Sequence, residues 1–274
     1  PLRNPTGHWL GDVFLKLDRI VRISEPLFPS KVEQFAIDRA MAFLRERLNG
    51  EDGVGAIFPP MVYTLMCFKT LGQPLDHPDT LVAHRALDKL LIVKEDEAYV
   101  QPCLSPVWDT GLALHALMEA GVAPGDPMIR EACAWLRERQ ILDVRGDWAS
   151  KRPTTRPGGW AFQYRNDFYP DVDDTAVVGM ALHRADEAEH REAVARAAEW
   201  IIGMQSENGG WGAFDADNEY FVLENMPFAD HGALLDPPTV DVTARCLGFL
   251  VQVGYARAHP AVTRGLAFLK SEQE

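Results

Sequence analysis

The strongest constraint on how this chain can fold is a fixed spacing. Three segments open with a short polar box and run on apolar: "WDTGLALHAL" from residue 108, "DDTAVVGMAL" from 173 and "DVTARCLGFL" from 241; a weaker fourth, "VYTLMCFKTLG", starts at 62. Their threonines, Thr64, Thr110, Thr175 and Thr243, fall at intervals of 46, 65 and 68 residues. A second family of segments, charged and amphipathic, is centred on Lys89, Trp135, Trp200 and Phe268, each 25 residues after its threonine. "MAFLRERL" around Phe43 belongs with them. An apolar helix followed at constant distance by an amphipathic one is a helical hairpin, and such a hairpin hides its apolar faces only against its neighbours. The expected fold class is therefore all-α: an α/α barrel or a solenoid of paired inner and outer helices. The unequal intervals place insertions between units, among them the Pro/Gly-rich, aromatic "DVRGDWASKRPTTRPGGWAFQYRNDFYP", the kind of long loop that carries function.

In a closed arrangement equivalent helix starts share one rim. Asp109, Asp173 with Asp174, and Asp241 stand one or two residues before the repeated threonine and converge there. Helix N-capping is the competing account of Asp109 and Asp241. It explains at most one carboxylate of "YPDVDDTAVV", residues 169 to 178, where Asp171, Asp173 and Asp174 fill three of four positions. Crowded carboxylates do not all ionise cheaply; a proton is shared, and a neutral carboxylic acid persists near pH 7. Around this box stand Trp108, Trp160, Phe162, Phe168, Tyr169, Trp211 and Phe214. Any one of them fits a helical core. Together, on loops that lead to an acid, their ring faces suit a cation, and an acid in a π-lined cavity points to carbocation chemistry.

Composition removes other classes. A net charge of −13 repels a phosphate backbone, and no basic cluster offsets it, so nucleic acid is not an expected partner. Cys67, Cys103, Cys133 and Cys246 lie far apart without a CxxC pair, which fits reduced thiols in a cytosolic setting. His8, His84 and His231 are isolated, and no Walker loop or HExxH motif occurs, so neither a metal nor a cofactor is expected. Residues 7 to 29 put Trp9, Leu10, Val13, Phe14, Leu17, Ile20 and Val21 at helical spacing, with Asp12, Lys16 and Arg19 partly segregated. That pattern fits a monotopic helix on a bilayer surface or an ordinary packed helix.

The residues also carry a resemblance. "YPDVDDTAVV" resembles the acidic DxDD box of class II terpene cyclases, and "SPVWDTGLA", "GGWAFQ", "NGGWGAFDADN", "PFADHGALLDPP" and "DVTAR", in this order from about Gly7 to Glu274, resemble the squalene-hopene cyclase family. The resemblance implies an α/α barrel (toroid), with residues 1–80 finishing one barrel domain and 81–274 beginning the catalytic one. It implies that Asp173 is the general acid that protonates a terminal alkene of squalene or a related polyprene. Asp171 and Asp174 would orient it, with Asp109 and Asp241 as further acidic positions at the mouth. Trp108, Phe162, Phe214, Trp160 and Phe228 would line the substrate cavity. Phe58 stands where some members have a glutamine that positions a quenching water; phenylalanine cannot bind that water, which favours hopene over hopanol. Arg245 replaces the histidine of some members; it can stabilise the ionised acid but cannot relay protons. Gln140 with Trp148, and Gln205 with Trp211, match the family's Gln-Trp motif, which ties outer helices together.

The resemblance also implies a peripheral, monotopic place on the cytoplasmic side of a bacterial membrane, and a homodimer for the complete enzyme. The chain opens at Pro1 and stops in "FLKSEQE"; it reads as a central piece of a longer protein, expected to be inactive by itself. An α/α-barrel glycosidase, with rim aspartates as acid and base, and a non-catalytic helical repeat scaffold are the rival readings.

Overall fold

Each spaced pair in the sequence is a pair of helices. The computed structural model describes residues 2–227 and 234–273. Two helices come first, α1 (Trp9–Ser24) and α2 (Ser30–Glu46). The threonine segments then form α3 (Phe58–Thr70), α5 (Pro106–Glu119), α7 (Val172–Ala185) and α9 (Val240–Gln252). The charged segments form their partners α4 (Pro78–Asp88), α6 (Pro127–Arg137), α8 (Glu187–Gly203) and α10 (Pro260–Ser271). Residue 80 falls inside α4.

The start and stop signals repeat with the helices. Outer helices α4, α6 and α10 begin with a proline preceded by a side-chain cap: His77, Asp126 and His259 each accept from the backbone N–H two residues on. Inner helices α3, α5 and α9 end at Gly72, Gly121 and Gly254, all at positive φ. The next residue's N–H reaches back to the carbonyls of Phe68, Leu117 and Leu250, which closes each helix in a left-handed turn.

Helices α5, α7 and α9 stand side by side, and α6, α8 and α10 back them. Small residues set the inner spacing. Gly111 of α5 faces Val177 and Val178, and a Cβ on Gly179 of α7 would lie 2.5 Å from the Phe249 ring of α9. The three hairpins share one continuous core that includes Leu114, Leu136, Trp160, Trp200, Trp211 and Phe249. This arc of paired helices is all-α, as the spacing predicts. One element the helical periodicity does not announce is a small antiparallel hairpin between α4 and α5, β1 (Leu91–Val93) with β2 (Ala98–Val100).

The repeated threonine has a structural task. Thr175 is buried; its hydroxyl donates to the Asp171 carbonyl (2.6 Å) and accepts from the Trp160 N–H (2.9 Å). Thr243 accepts in the same way from the Trp211 N–H at 3.0 Å. The indoles then tie each hairpin to the helix before it, Trp160 Nε1 to the Leu136 carbonyl at 2.6 Å and Trp211 Nε1 to the Ile201 carbonyl at 2.7 Å. Gln140 donates to the carbonyls of Gly158 and Ala193, and Gln205 to those of Gly209 and Ala261.

Two expectations change here. The partner of Gln140 in this motif is Trp160, not Trp148, and Trp160 is a fully buried tie rather than a cavity-lining ring. Trp148 instead packs edge-on against Trp200, ring centroids 6.0 Å apart.

Candidate active site

The acid box sits where a loop turns into α7. Asp171 pairs with Trp160 as an isolated bridge, its N–H donating to the Trp160 carbonyl at 2.8 Å, and Val172 N–H donates to the Ala213 carbonyl at 2.8 Å. With both sides of the entry segment held, Asp171 becomes the N-cap of α7. One of its oxygens, Oδ1, accepts from the N–H groups of Asp173 (2.7 Å) and Asp174 (3.3 Å). Neither Asp109 nor Asp241 caps its helix; those positions belong to Ser105 and Thr239. The capping account therefore holds for Asp171 and fails for the two aspartates it was weighed for.

The three carboxyls of the box have different surroundings. Asp174 is buried, and its Oδ1 has no hydrogen-bond partner among the described residues. Burial, followed by repulsion from Asp171 and Asp173, pushes its pKa up to about 9. Burial likewise raises Asp171, to about 7, against the downward pull of its two N–H bonds. Asp173 is the member that meets another helix. Its Oδ2 is ion-paired and hydrogen-bonded to Arg245 Nη1 of α9, while its Oδ1 is buried with no partner among the described residues. That hydrogen bond is the main reason the Arg245 pKa is raised, with Asp241 adding to it. Asp241, exposed on the first turn of α9, is held below the usual carboxylate range chiefly by the Thr239 hydroxyl.

Arg245 also brings the aromatics in. Its guanidinium lies 5.4 Å from the centroid of the Trp108 ring, and Trp108 meets Phe162 with ring centroids 6.5 Å apart. Asp173, Arg245, Trp108 and Phe162 thus form one contiguous group drawn from α7, α9, α5 and the loop before α7. Asp109, next to Trp108, is exposed and accepts from the Ser105 hydroxyl at 2.8 Å.

The other expected residues stand elsewhere. Phe58 opens α3, donates its N–H to the Pro102 carbonyl at 2.8 Å and packs against the small cluster of Met61, Ala86 and Leu90. Phe214 borders a cavity of about 460 Å³ with Phe168, Tyr169, Leu235 and Asp236, and makes no ring contact with Trp108 or Phe162 among the described residues. Phe228 lies outside the described residues.

One residue of the site was missed in the sequence. The Asp236 carboxylate accepts from three consecutive backbone N–H groups, those of Ala213 (3.1 Å), Phe214 (2.7 Å) and Asp215 (2.7 Å). It fixes the loop whose Ala213 carbonyl receives the first N–H of α7. Its only signal was the block "LLDPP", which says nothing about which amides the carboxylate meets.

Chemically, two raised carboxyls keep at least one proton in the box near pH 7, and the third member, Asp173, is paired with a cation that itself lies beside the Trp108 ring. That places a proton-holding carboxyl cluster and a fixed cation next to a π-face.

A family model described as the squalene-hopene cyclase C-terminal domain matches residues 104–274, and one described as the squalene-hopene cyclase N-terminal domain matches residues 1–96. The squalene–hopene cyclase of Zymomonas mobilis is 51% identical over 272 residues, 95% of this chain and 41% of that protein. The squalene–hopene cyclase of Alicyclobacillus acidocaldarius is 41% identical over 272 residues, 98% of this chain and 42% of that protein. Dammaradiene synthase of Dryopteris crassirhizoma is 38% identical over 280 residues, 98% of this chain and 41% of that protein. The chain spans about two fifths of the length of each of these three relatives.

Proposed function

The chain belongs to the squalene-hopene cyclase family, and from that premise we propose that the protein carrying it is a triterpene cyclase in which Asp173 protonates a terminal alkene of squalene or a related polyprene. The observation that carries this reading is the asymmetry of Asp173, one oxygen bound to Arg245 and the other buried without a partner. In the reaction the O–H bond of the Asp173 carboxyl breaks, and the alkene's π pair forms a C–H bond at the less substituted carbon of that double bond. The cation is left on the more substituted carbon. Arg245 neutralises the new carboxylate while the next double bond attacks the cation and closes a ring. Trp108 and Phe162 present ring faces to early cations. Loss of a proton from the last cation gives hopene and restores the count of one proton in, one out.

The rival readings have less support. A scaffold has no use for carboxyls whose burial costs this much, and sugar hydrolysis needs a second carboxyl acting across the bond, free of a permanent ion pair.

The test is Asp173→Asn in the full-length protein, incubated with squalene and scored for polycyclic products. Product formation is expected to fall at least about a thousandfold while circular dichroism stays unchanged. Near-normal product from this variant would overturn the assignment.

We also propose peripheral contact with a bilayer, on its cytoplasmic side, through α1. Trp9, Leu17, Ile20, Val21 and Ile23 are exposed on this helix, and an amphipathic helix with such a face lies in a membrane interface. No helix among the described residues is long and apolar enough to cross a membrane. Ile20→Ser with Ile23→Ser is expected to reduce flotation of the full-length protein with phospholipid liposomes; undiminished flotation refutes this contact.

A further inference from the structure

The segment that delivers the acid box is gripped from two sides, and one grip comes from the early helix α2. Asp171 is joined to Trp160 on its core side. On the other side stands Arg47, just past the end of α2, a hundred residues from its partner Asp147. Its side chain is buried. The guanidinium lies 3.6 Å from the centroid of the Phe43 ring and 4.4 Å from that of Phe168. Nη2 donates to Asp147 Oδ1 at 2.5 Å, and Asp147 Oδ2 accepts from the Tyr169 hydroxyl at 2.6 Å. Phe168 and Tyr169 are the third and second residues before Asp171.

The backbone follows the same path. Asp147 N–H donates to the Phe168 carbonyl at 3.3 Å. Gly146 approaches so near that a Cβ there would stand 1.9 Å from the Phe168 oxygen. A second tie runs beside the first: Asn166 Nδ2 donates to the Gly55 carbonyl at 3.3 Å, Asn49 Nδ2 donates to Asn166 Oδ1 at 3.4 Å, and Tyr169 N–H donates to the Asn166 carbonyl at 2.9 Å. Both ties join residues 43–55 to the segment that enters α7.

Cohesion alone does not call for a guanidinium here. A buried charge is costly to desolvate, and apolar residues of similar volume hold two surfaces together as well or better. What a planar, always-charged group adds is orientation, because it stacks between two rings and binds a carboxylate along a fixed direction at once. Burial works against its charge, and the bonds to Asp147, together with those to Tyr169 and Glu46, outweigh that. Burial and Asp147 push the Tyr169 phenol up to about 12, so it remains a donor at any working pH.

We propose that Arg47 is a positioning residue for the acid box: through Phe168, Asp147 and Tyr169 it fixes the segment 168–171, and so sets the direction in which Asp173 presents its free oxygen. This rests on the reading of Asp173 as the acid. A misplacement of about 1 Å at a reacting centre costs on the order of a hundredfold in rate, so a grip two residues from the box acts on kcat.

The experiment uses Arg47→Met and Arg47→Lys in the full-length protein, with squalene cyclisation measured per folded molecule. Arg47→Met is expected to lower kcat about tenfold or more with KM within about twofold. Arg47→Lys, which keeps the charge but not the planar stack, is expected to recover part of the loss. A merely structural role lowers the melting temperature and leaves kcat per folded molecule within twofold of wild type; that result overturns the proposal. If Arg47→Met does not fold, Arg47→Lys carries the test: a kcat lowered about threefold or more at unchanged KM supports the proposal, and an unchanged kcat overturns it. Asp173→Asn is run alongside. Product from that variant refutes the acid assignment, whereas an inert Asp173→Asn with a normal Arg47→Met refutes this inference only.

Discussion

Residues 2–103 and residues 104–273 are built from the same kind of helix, yet they bury different amounts of it. In the later stretch Trp160, Trp200, Trp211 and Phe249 are fully enclosed in one core. In the earlier stretch the described core is two small clusters, around Phe68 and around Met61, while Trp9, Ile23, Leu27, Tyr63 and Leu75 are each more than 60% exposed. The difference lies at the joints. Gln140 and Gln205 end their outer helices by reaching carbonyls of the next hairpin, and a tryptophan locks each joint from behind. Five residues after Lys89, where the repeat puts those glutamines after Trp135 and Trp200, stands Lys94. It turns instead into the small β-hairpin and pairs with Glu97. Amphipathic hairpins become one core when consecutive units are stapled, and the amphipathic pattern alone does not staple them.

The largest break in this comparison comes from removing a staple. Trp211→Ala is expected to destabilise the protein by about 3–5 kcal/mol, because a fully buried indole and its bond to Ile201 are lost together. Urea unfolding would measure it, and a loss under 1 kcal/mol would mean that the joint is not what unites the core.

A pH series sharpens the contrast at the acid box. The Asp174 pKa is raised in the fold, to about 9, from an unfolded value of about 3.9. The folded state therefore holds a proton that the unfolded chain has released, and the contribution of Asp174 to stability is full below about pH 4 and is lost as pH rises toward 9. The slope is up to about 1.4 kcal/mol per pH unit. Asp174→Asn is expected to flatten that part of the stability–pH curve; an unchanged curve would mean that Asp174 ionises freely in the fold.

The smallest effect belongs to the exposed face of the earlier stretch. Ile20→Ser with Ile23→Ser, the pair whose liposome binding is expected to weaken, is expected to change thermal stability by less than about 0.5 kcal/mol. A larger loss would show that this face is packed.

Much of this was legible because it is local or periodic. The threonine spacing locates α3, α5, α7 and α9, and the acid box is contiguous. What escaped depends on geometry that spacing does not carry. Trp148 follows Gln140 in a "GDW" that mimics the motif, while the true partner Trp160 is displaced by the intervening loop. Asp236 shows its meaning only when three amides of another loop turn toward it. Arg47 and Asp147 are ordinary surface-type residues in sequence, and only their position in the fold makes them neighbours. Phe214 is placed with the Trp108 group by resemblance, whereas in the fold it borders a cavity with Phe168, Tyr169 and Asp236 and makes no ring contact with Trp108 or Phe162 among the described residues.

The lopsided tether of Asp173 bears on aim. A carboxyl leashed by one oxygen leaves the other a single compass direction, so in the proposed reaction a hydrogen carried there meets the double bond from one side, and a heavy-isotope label would end in one of the two places of the resulting CH2 group.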